Sequence, residues 1–198
     1  MIDNNKLFEA FEKQAGVLKT SELRELGLSS RQISRLIETN VIAKLKHGFY
    51  ERVDVATSED VIIAKLFTDA ILFLESALFY YGYTDRIPSA WQLAVDRDQE
   101  KSIYRIEYPR IKPYYQERKF LEVGVTHYVN QGVHIKIYDR ERTLCDVLRF
   151  EKKLEKEVYT NAIKRYISDS KKNIGKLFEY AYIFNIAKKV QSQIGIWL

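Results

Sequence analysis

The chain has 198 residues, of which 46% are hydrophobic and 13% aromatic, so it can bury a substantial core and is not intrinsically disordered. Its single cysteine, Cys145, excludes an internal disulfide and a cysteine-rich zinc site and predicts a reducing, cytoplasmic location. The net charge of +5 favours an anionic partner, whereas no apolar run approaches the roughly 18 residues that span a membrane, so we expect no membrane contact.

Residues 1–53 predict three short helices followed by a β-hairpin. The third helix is expected from Ser29 to about Glu38, because Ser29 and Gln32 have the spacing of a capping box. The stretch VIAKLKHGFYERV then predicts two strands joined by a tight turn at His47-Gly48. Three helices followed by a hairpin are typical of a winged helix-turn-helix, a DNA-binding fold.

The third helix of this segment places its apolar residues on one face and its polar residues on the other. Such a polar face can read base edges in the major groove, because arginine pairs with guanine, glutamine with adenine, and serine with bases or phosphates. Basic side chains in the hairpin suit phosphate or minor-groove contact. The predicted contacts are Ser30, Arg31, Gln32, Ser34 and Arg35 in the helix, and Lys44, Lys46 and His47 in the hairpin. The alternatives are an ordinary solvated face or a winged helix that contacts protein.

Residues 54–60 are short and polar, which predicts a junction to a second domain over residues 61–198. That domain opens with two largely buried helices, separated near Asp69–Ile71 and ended by Gly82. The segments WQLAV, SIYRIEY, VTHYVN and VHIKIY then favour strands.

The turn Asn130-Gln131-Gly132 predicts a hairpin between the last two strands, while Pro109 and Pro113 should end a strand or confine it to a sheet edge. No proline follows Asp139, and helical periodicity returns. We therefore predict an α+β protein: a winged helix-turn-helix, then helices around a small, mostly antiparallel sheet with a helical tail.

The second domain offers little catalytic chemistry. Asp96 and Glu107, expected at the ends of neighbouring strands, are the best candidates for a Mg²⁺-dependent nuclease, although two surface acids are the favoured interpretation. His127 and His134 are expected to face each other across the hairpin as a polar pair, and Cys145 to be a small core residue. We predict no enzyme activity, no cofactor and no metal site.

Three stretches carry a resemblance to a known family: TSELRELGLSSRQISRLIETNVIAKLKHGFY, FLESALFYYGYTDRIPSAWQLAV and IYDRERTLCDVLR. Through them the chain resembles, over essentially its whole length, the AbiEi-like antitoxins of bacterial abortive-infection (phage resistance), type IV toxin–antitoxin systems. The resemblance implies a bifunctional protein. Its winged helix would bind inverted repeats in its own promoter, with Ser29 added to the contacts above, and repress the toxin–antitoxin operon.

The same resemblance implies that the C-terminal domain counteracts a nucleotidyltransferase-like toxin without forming a stable complex. The protein would be a monomer or weak dimer in solution, with two copies on each operator. Two other functions are weighed against this one: a one-component regulator whose α+β domain senses a small ligand, and the DNA-targeted metal-dependent nuclease.

Residues 139–198 contain 13 basic and 8 acidic side chains, so they carry a net charge of +5. This excess predicts a second nucleic-acid surface, or the surface that opposes the toxin, and the alternative is an ordinary solvated surface. Its candidates are Arg140, Arg142, Arg149, Lys153, Lys156, Lys164 and Arg165. For the segment 139–149 the favoured alternative is a structural helix, capped by Asp139 and packed through Leu144, Val147 and Leu148.

Overall fold

The computed structural model describes residues 4–195, and tertiary contacts divide the chain into two compact units. The first comprises the chain up to Thr68 together with Ser102–Pro109 and Val129–Ile135. The second comprises the remaining segments, Asp69–Lys101, Arg110–Tyr128 and the chain from Lys136 onward. The domain boundary expected at residues 54–60 stays a prediction; a helix begins within this stretch, at Glu59.

The first unit combines four helices with a three-stranded sheet. Its elements in chain order are α1 (Asn4–Lys13), β1 (Val17–Lys19), α2 (Thr20–Glu25), α3 (Ser30–Glu38), β2 (Ile42–Lys46), β3 (Phe49–Arg52) and α4 (Glu59–Leu66). The sheet is antiparallel with the order β1-β3-β2, so β3 is its central strand. The predicted helices and hairpin are thus confirmed, while the short strand β1 was not predicted.

One apolar cluster packs α1, α2 and α3 against the strands of this sheet. Leu7 and Phe11 of α1 are buried, and they meet Leu23 of α2 and Ile33 of α3. Gly27 follows α2 with a φ of +86°, in the left-handed region where glycine is favoured, and so ends the helix. This turn directs the chain from α2 into α3.

The remaining elements follow in order: β4 (Ile71–Leu72), α5 (Leu74–Tyr80), β5 (Trp91–Asp96), a 3-10 helix (Lys101–Tyr104), β6 (Ile111–Gln116), α6 (Arg118–Leu121), β7 (Val125–Asn130), β8 (Val133–Tyr138), α7 (Arg140–Arg149), a second 3-10 helix (Glu151–Lys153), α8 (Lys156–Ser168), α9 (Ile174–Ile183) and α10 (Ala187–Ile194). The five strands form one sheet in the order β6-β5-β4-β8-β7. None of the helices in residues 4–195 is long and apolar enough to cross a bilayer.

The sheet is mixed, so the prediction of a mostly antiparallel sheet is wrong. Strand β5 pairs with β6 in parallel along its whole length, and β4 pairs with β8 in parallel and with β5 antiparallel. Residues 97–110 join β5 to β6, and a connection of that length suits a crossover rather than a tight turn. Because β6 is an edge strand, it tolerates Pro113, which confirms the edge expectation.

The segment SIYRIEY is not the expected strand. Its first half forms the 3-10 helix Lys101–Tyr104, and Glu107 lies in the irregular stretch that follows. The ring of Tyr104 is buried and packs against Phe67, with the ring centroids 5.2 Å apart. Packing of this aromatic side chain, rather than pairing of the backbone, decides the local structure.

The helical tail is confirmed and supplies most of one of the apolar clusters of the second unit. Val158, Ala162 and Tyr166 of α8 are buried against Leu144 and Leu148 of α7 and against α9 and α10. Cys145 is buried in the same cluster, as predicted. In α9 the spacing of apolar residues at Ile174, Leu177, Phe178, Ala181 and Tyr182 predicts one buried stripe, but Tyr182 is 69% exposed and Tyr180 is buried instead.

Candidate nucleic-acid interface

Helix α3 is fixed at its start and along one face. The Ser29 N–H donates to Gln32 Oε1 at 2.8 Å, and the Gln32 N–H donates to Ser29 Oγ at 3.4 Å, which closes the predicted capping box. Ile33 and Leu36 are buried in the core of the first unit. With both its start and its apolar face held, α3 presents its opposite face to solvent in one orientation.

The outward face of α3 carries the predicted serines and arginines. Ser30, Arg31, Ser34 and Arg35 are all exposed. Within the part of the chain that the structure describes, neither guanidinium forms an ion pair or hydrogen bond, whereas most other arginines do. Two positive charges without an internal partner, on one face of a fixed helix, are well suited to contact an external anion.

Ser29 and Gln32 are engaged in the cap rather than free for DNA. Gln32 Oε1 accepts from both the N–H and the Oγ–H of Ser29, each at 2.8 Å, and the Gln32 side chain is half-buried. A glutamine that reads adenine needs this same oxygen to accept from the base. Reading adenine through Gln32 therefore requires the cap to open.

The hairpin of β2 and β3 offers two of its three predicted contacts. Lys44 and His47 are exposed, and their side chains have no hydrogen bond or ion pair with other residues of the 4–195 range. Lys46 differs, because its Nζ donates to the backbone oxygen of Leu66 at 2.6 Å and lies 4.2 Å from the centre of the Phe67 ring. Burial and the nearby charge of Lys19 lower the pKa of Lys46. Lys46 is thus half-buried with its ammonium held inside the unit, and its place in the predicted DNA contacts is corrected.

The second predicted surface is largely internal as well. Arg142 is fully buried: its Nε donates to Asp146 at 2.7 Å, and its Nη1 donates to the carbonyl oxygens of Phe120 and Val123 at 2.7 and 2.6 Å. The guanidinium lies between the rings of Tyr138 and Phe184. Arg142 therefore belongs to no surface, and its predicted contact with nucleic acid is wrong.

Three more members of that surface are held by carboxylates of the second unit. Arg140 pairs with Asp169 at 2.9 Å, Arg149 with Asp146 at 2.7 Å, and Arg165 with Asp85. Lys153, Lys156 and Lys164 are exposed. Four of the seven predicted cations of this surface, counting Arg142, therefore already have a carboxylate partner within the second unit.

The helix that begins this segment is the capped structural helix favoured by its sequence. Asp139 Oδ1 accepts from the Arg142 N–H at 2.8 Å, and Leu144, Val147 and Leu148 are buried. What the sequence analysis missed is Asp146, fully buried between Arg142 and Arg149. Its spacing of four and three residues from these arginines is the signal that points to pairs within one helix.

The catalytic candidates do not assemble into a site. Glu107 lies outside any strand, so its predicted position at a strand end is wrong, and Asp96 at the end of β5 accepts from the Asp98 N–H at 3.0 Å. Burial raises the pKa of the Cys145 thiol, which keeps it protonated and a poor nucleophile. His127 and His134 are exposed, and their expected pairing stays a prediction. Across residues 4–195, no three His, Cys, Asp or Glu side chains are grouped to hold a metal ion.

The family match found for the chain lies in the first unit. Residues 5–53, which span most of α1 through β3, match a family described as "Transcriptional regulator, AbiEi antitoxin". The match supports the AbiEi-like antitoxin resemblance inferred from the sequence, over the stretch that carries the exposed face of α3. A search of curated proteins found no match to the chain.

Proposed function

We propose, from an N-terminal segment that matches AbiEi antitoxin regulators, that the chain is a bifunctional type IV antitoxin of the cytoplasm. Its N-terminal winged helix-turn-helix binds inverted repeats in its own promoter and represses the toxin–antitoxin operon. Its C-terminal part counteracts a nucleotidyltransferase-like toxin without a stable complex. The function is regulatory rather than catalytic.

The observation that carries the DNA-binding proposal is the pair Arg31 and Arg35 on the exposed face of α3. They lie four residues apart, so they are neighbours on the helix surface. Unpaired guanidinium groups on a fixed helix cost little to bring to DNA, because no internal ion pair has to break. In the proposed complex they reach guanine edges or phosphates, with Ser30 and Ser34 beside them.

Two further features support phosphate contact around this helix. The N–H groups of Ser30 and Arg31 lie in the first turn of α3, where helical N–H groups have no intrahelical acceptor and attract anions. Lys44 and His47 are exposed on the hairpin, which acts as the wing and contacts the backbone or the minor groove. Lys46 takes no part in this surface, since it is held by Leu66.

Inverted repeats require two copies of the protein on each operator, related by the two-fold symmetry of the DNA. We propose that the chain is a monomer or weak dimer in solution and pairs on the promoter, with recognition helices one helical turn, about 34 Å, apart or a multiple of it. Occupying the promoter in this way blocks transcription of antitoxin and toxin together.

The experiment that tests both functions uses point variants of the full chain. A truncation at residue 53 would not isolate a complete folding unit, because Ser102–Pro109 and Val129–Ile135 belong to the same compact unit as the N-terminal segment. Arg31→Ala/Arg35→Ala removes the proposed contacts, and Lys6→Ala/Lys13→Ala removes two exposed charges of α1 as a matched control.

Repression is read from a reporter under the native promoter, and neutralisation from growth when toxin and antitoxin are each made from an independent promoter. We expect the arginine variant to lose repression and keep neutralisation, and the lysine control to keep both. Repression at the wild-type level by the arginine variant would contradict the DNA-binding face. Loss of protection together with repression would contradict the separation of the two functions.

A further inference from the structure

A cavity of about 340 Å³ lies within the first unit, apart from the exposed face of α3. Its walls come from β1, α2, β3, α4, the turn between β7 and β8, and the start of β8 with Val133 and His134. The charged side chains on it include Lys19, Glu22 and Lys65, while Val17 and Phe49 form part of its apolar wall. A volume of this size lies in the range of small-molecule sites, about 300–1,000 Å³.

Three lysines lie on or near the cavity, and none of them forms an ion pair with a carboxylate of the described residues. Lys65 Nζ donates to the neutral Gln14 Oε1 at 2.8 Å, and Lys46, nearby, donates to the neutral carbonyl of Leu66. Lys19 Nζ lies 5.7 Å from the centre of the Phe49 ring. Like charges held together without matching carboxylates repel one another, and a bound anion relieves that repulsion.

Glu22 is the carboxylate on the wall of this cavity, and its Oε2 accepts the backbone N–H of Lys19 at 2.6 Å. It therefore closes the start of α2 instead of forming an ion pair with a lysine ammonium. Burial, with the charge of Lys19, lowers the pKa of both Lys46 and Lys65, and Glu22 offsets only part of this effect at Lys65. The surroundings thus disfavour the positive charge of Lys65 on the cavity wall and of Lys46 nearby.

We propose that this cavity binds a phosphorylated small molecule of mononucleotide size. Lys19 and Lys65 hold the phosphate as two point charges, and Phe49 with Val17 provides an apolar surface for a planar ring. Gln14 supplies an amide for the polar edge of the ligand. This site is independent of the operator contacts proposed above, because none of the exposed residues of α3 lines it.

Binding is tested on the full chain by thermal shift and by calorimetric titration, with adenosine 5′-monophosphate, adenosine and inorganic phosphate as probes, at an ionic strength matched with sodium chloride. We expect a saturable rise in Tm with the monophosphate and binding at least tenfold weaker for adenosine and for inorganic phosphate. Lys65→Gln should weaken monophosphate binding at least tenfold. Lys6→Gln, which removes an exposed charge of α1, should leave it unchanged.

Calorimetry on the folded variants keeps the test valid if Lys65→Gln changes the Tm of the free protein. A Kd for the monophosphate that is the same in Lys65→Gln as in the wild type would overturn the site. If inorganic phosphate binds as tightly as the monophosphate, the proposal that the ligand is of mononucleotide size is wrong. If neither probe gives a saturable response, the proposed site itself is wrong.

Discussion

The ammonium of Lys46 donates a 2.6 Å hydrogen bond to the backbone oxygen of Leu66, the last residue of α4. Its neighbour on the same strand, Lys44, is exposed and has no such bond within residues 4–195. Two lysines two positions apart on β2, both expected to contact DNA, therefore have different roles. One completes the end of a helix and the other extends into solvent.

This difference can be measured with one substitution at each position. Lys46→Met should lower the free energy of unfolding by about 1–2 kcal/mol, because it leaves the Leu66 carbonyl without its donor at the end of a helix. Lys44→Met should leave stability nearly unchanged and weaken promoter binding. Urea denaturation and a promoter-binding titration on both variants check this, and the reverse pattern would contradict the assignment.

The buried pair of Arg142 and Asp146 should be a main determinant of stability in the second unit. Asp146→Asn removes the charge that faces both Arg142 and Arg149, and breaking a buried pair in this way costs about 3–5 kcal/mol. Asp85→Asn breaks the solvent-exposed pair with Arg165 and should change the free energy of unfolding little. Equal midpoints of urea unfolding for the two variants would show that the buried pair has no special role.

Gly124 should tolerate no side chain. Its φ is +77°, and a Cβ at this position would lie 2.5 Å from the Cβ of Arg142. Gly82 has a φ of +68° with open space around it, so Gly82→Ala measures the backbone strain alone, about 1–2 kcal/mol. We expect Gly124→Ala to lower the Tm clearly more than Gly82→Ala. A similar decrease for both would mean that the chain near Gly124 relaxes freely.

Asp169 should make stability fall in acid. Burial disfavours its charge, but hydrogen bonds from Tyr83, the Lys171 N–H and Arg140 outweigh that effect and hold the pKa of Asp169 below its ordinary value. A carboxyl with a lowered pKa in the folded state stabilises the protein above its unfolded pKa, about 3.9, and this contribution is lost as the pH falls through the folded pKa.

The Asp169→Asn variant isolates this effect. Between pH 5 and pH 2, the free energy of unfolding of the wild type should fall more steeply than that of Asp169→Asn, as measured by urea denaturation at each pH. Glu179→Gln, at an exposed position of α9, is the matched control and should follow the wild type. Parallel curves for wild type and Asp169→Asn would show that the hydrogen bonds do not favour the ionised carboxyl.

The elements that the sequence predicted well are those with local causes. The start of α3 depends on Ser29 and Gln32, three residues apart, and the tail helices on apolar residues within a few turns. Strand β4 has only two residues, and its partners lie at Leu93, Ala94 and Ile137, so no local pattern marks it. The parallel pairing of β5 and β6 was also missed, because it depends on the tertiary fold and not on a local sequence pattern.

The candidate site was predictable to a similar degree. The exposed face of α3 follows from helical spacing, and Arg31 and Arg35 lie where this spacing puts them. Lys46 was misplaced because its partner, Leu66, lies twenty residues further along the chain, at the end of α4. Arg142 was misplaced because α7 is buried on every side from Glu141 to Leu148, so its charge gives no indication of a solvent-exposed face.

The central proposal is that Arg31 and Arg35 read the operator, and the most direct test is a ratio of affinities. For the wild type, Arg31→Ala/Arg35→Ala and Lys6→Ala/Lys13→Ala, the Kd for the native promoter is compared with that for scrambled DNA of the same length at one fixed salt concentration. We predict a high preference for the promoter in the wild type and the lysine control, and a fall of at least tenfold in this preference in the arginine variant. An unchanged preference in the arginine variant would contradict the account.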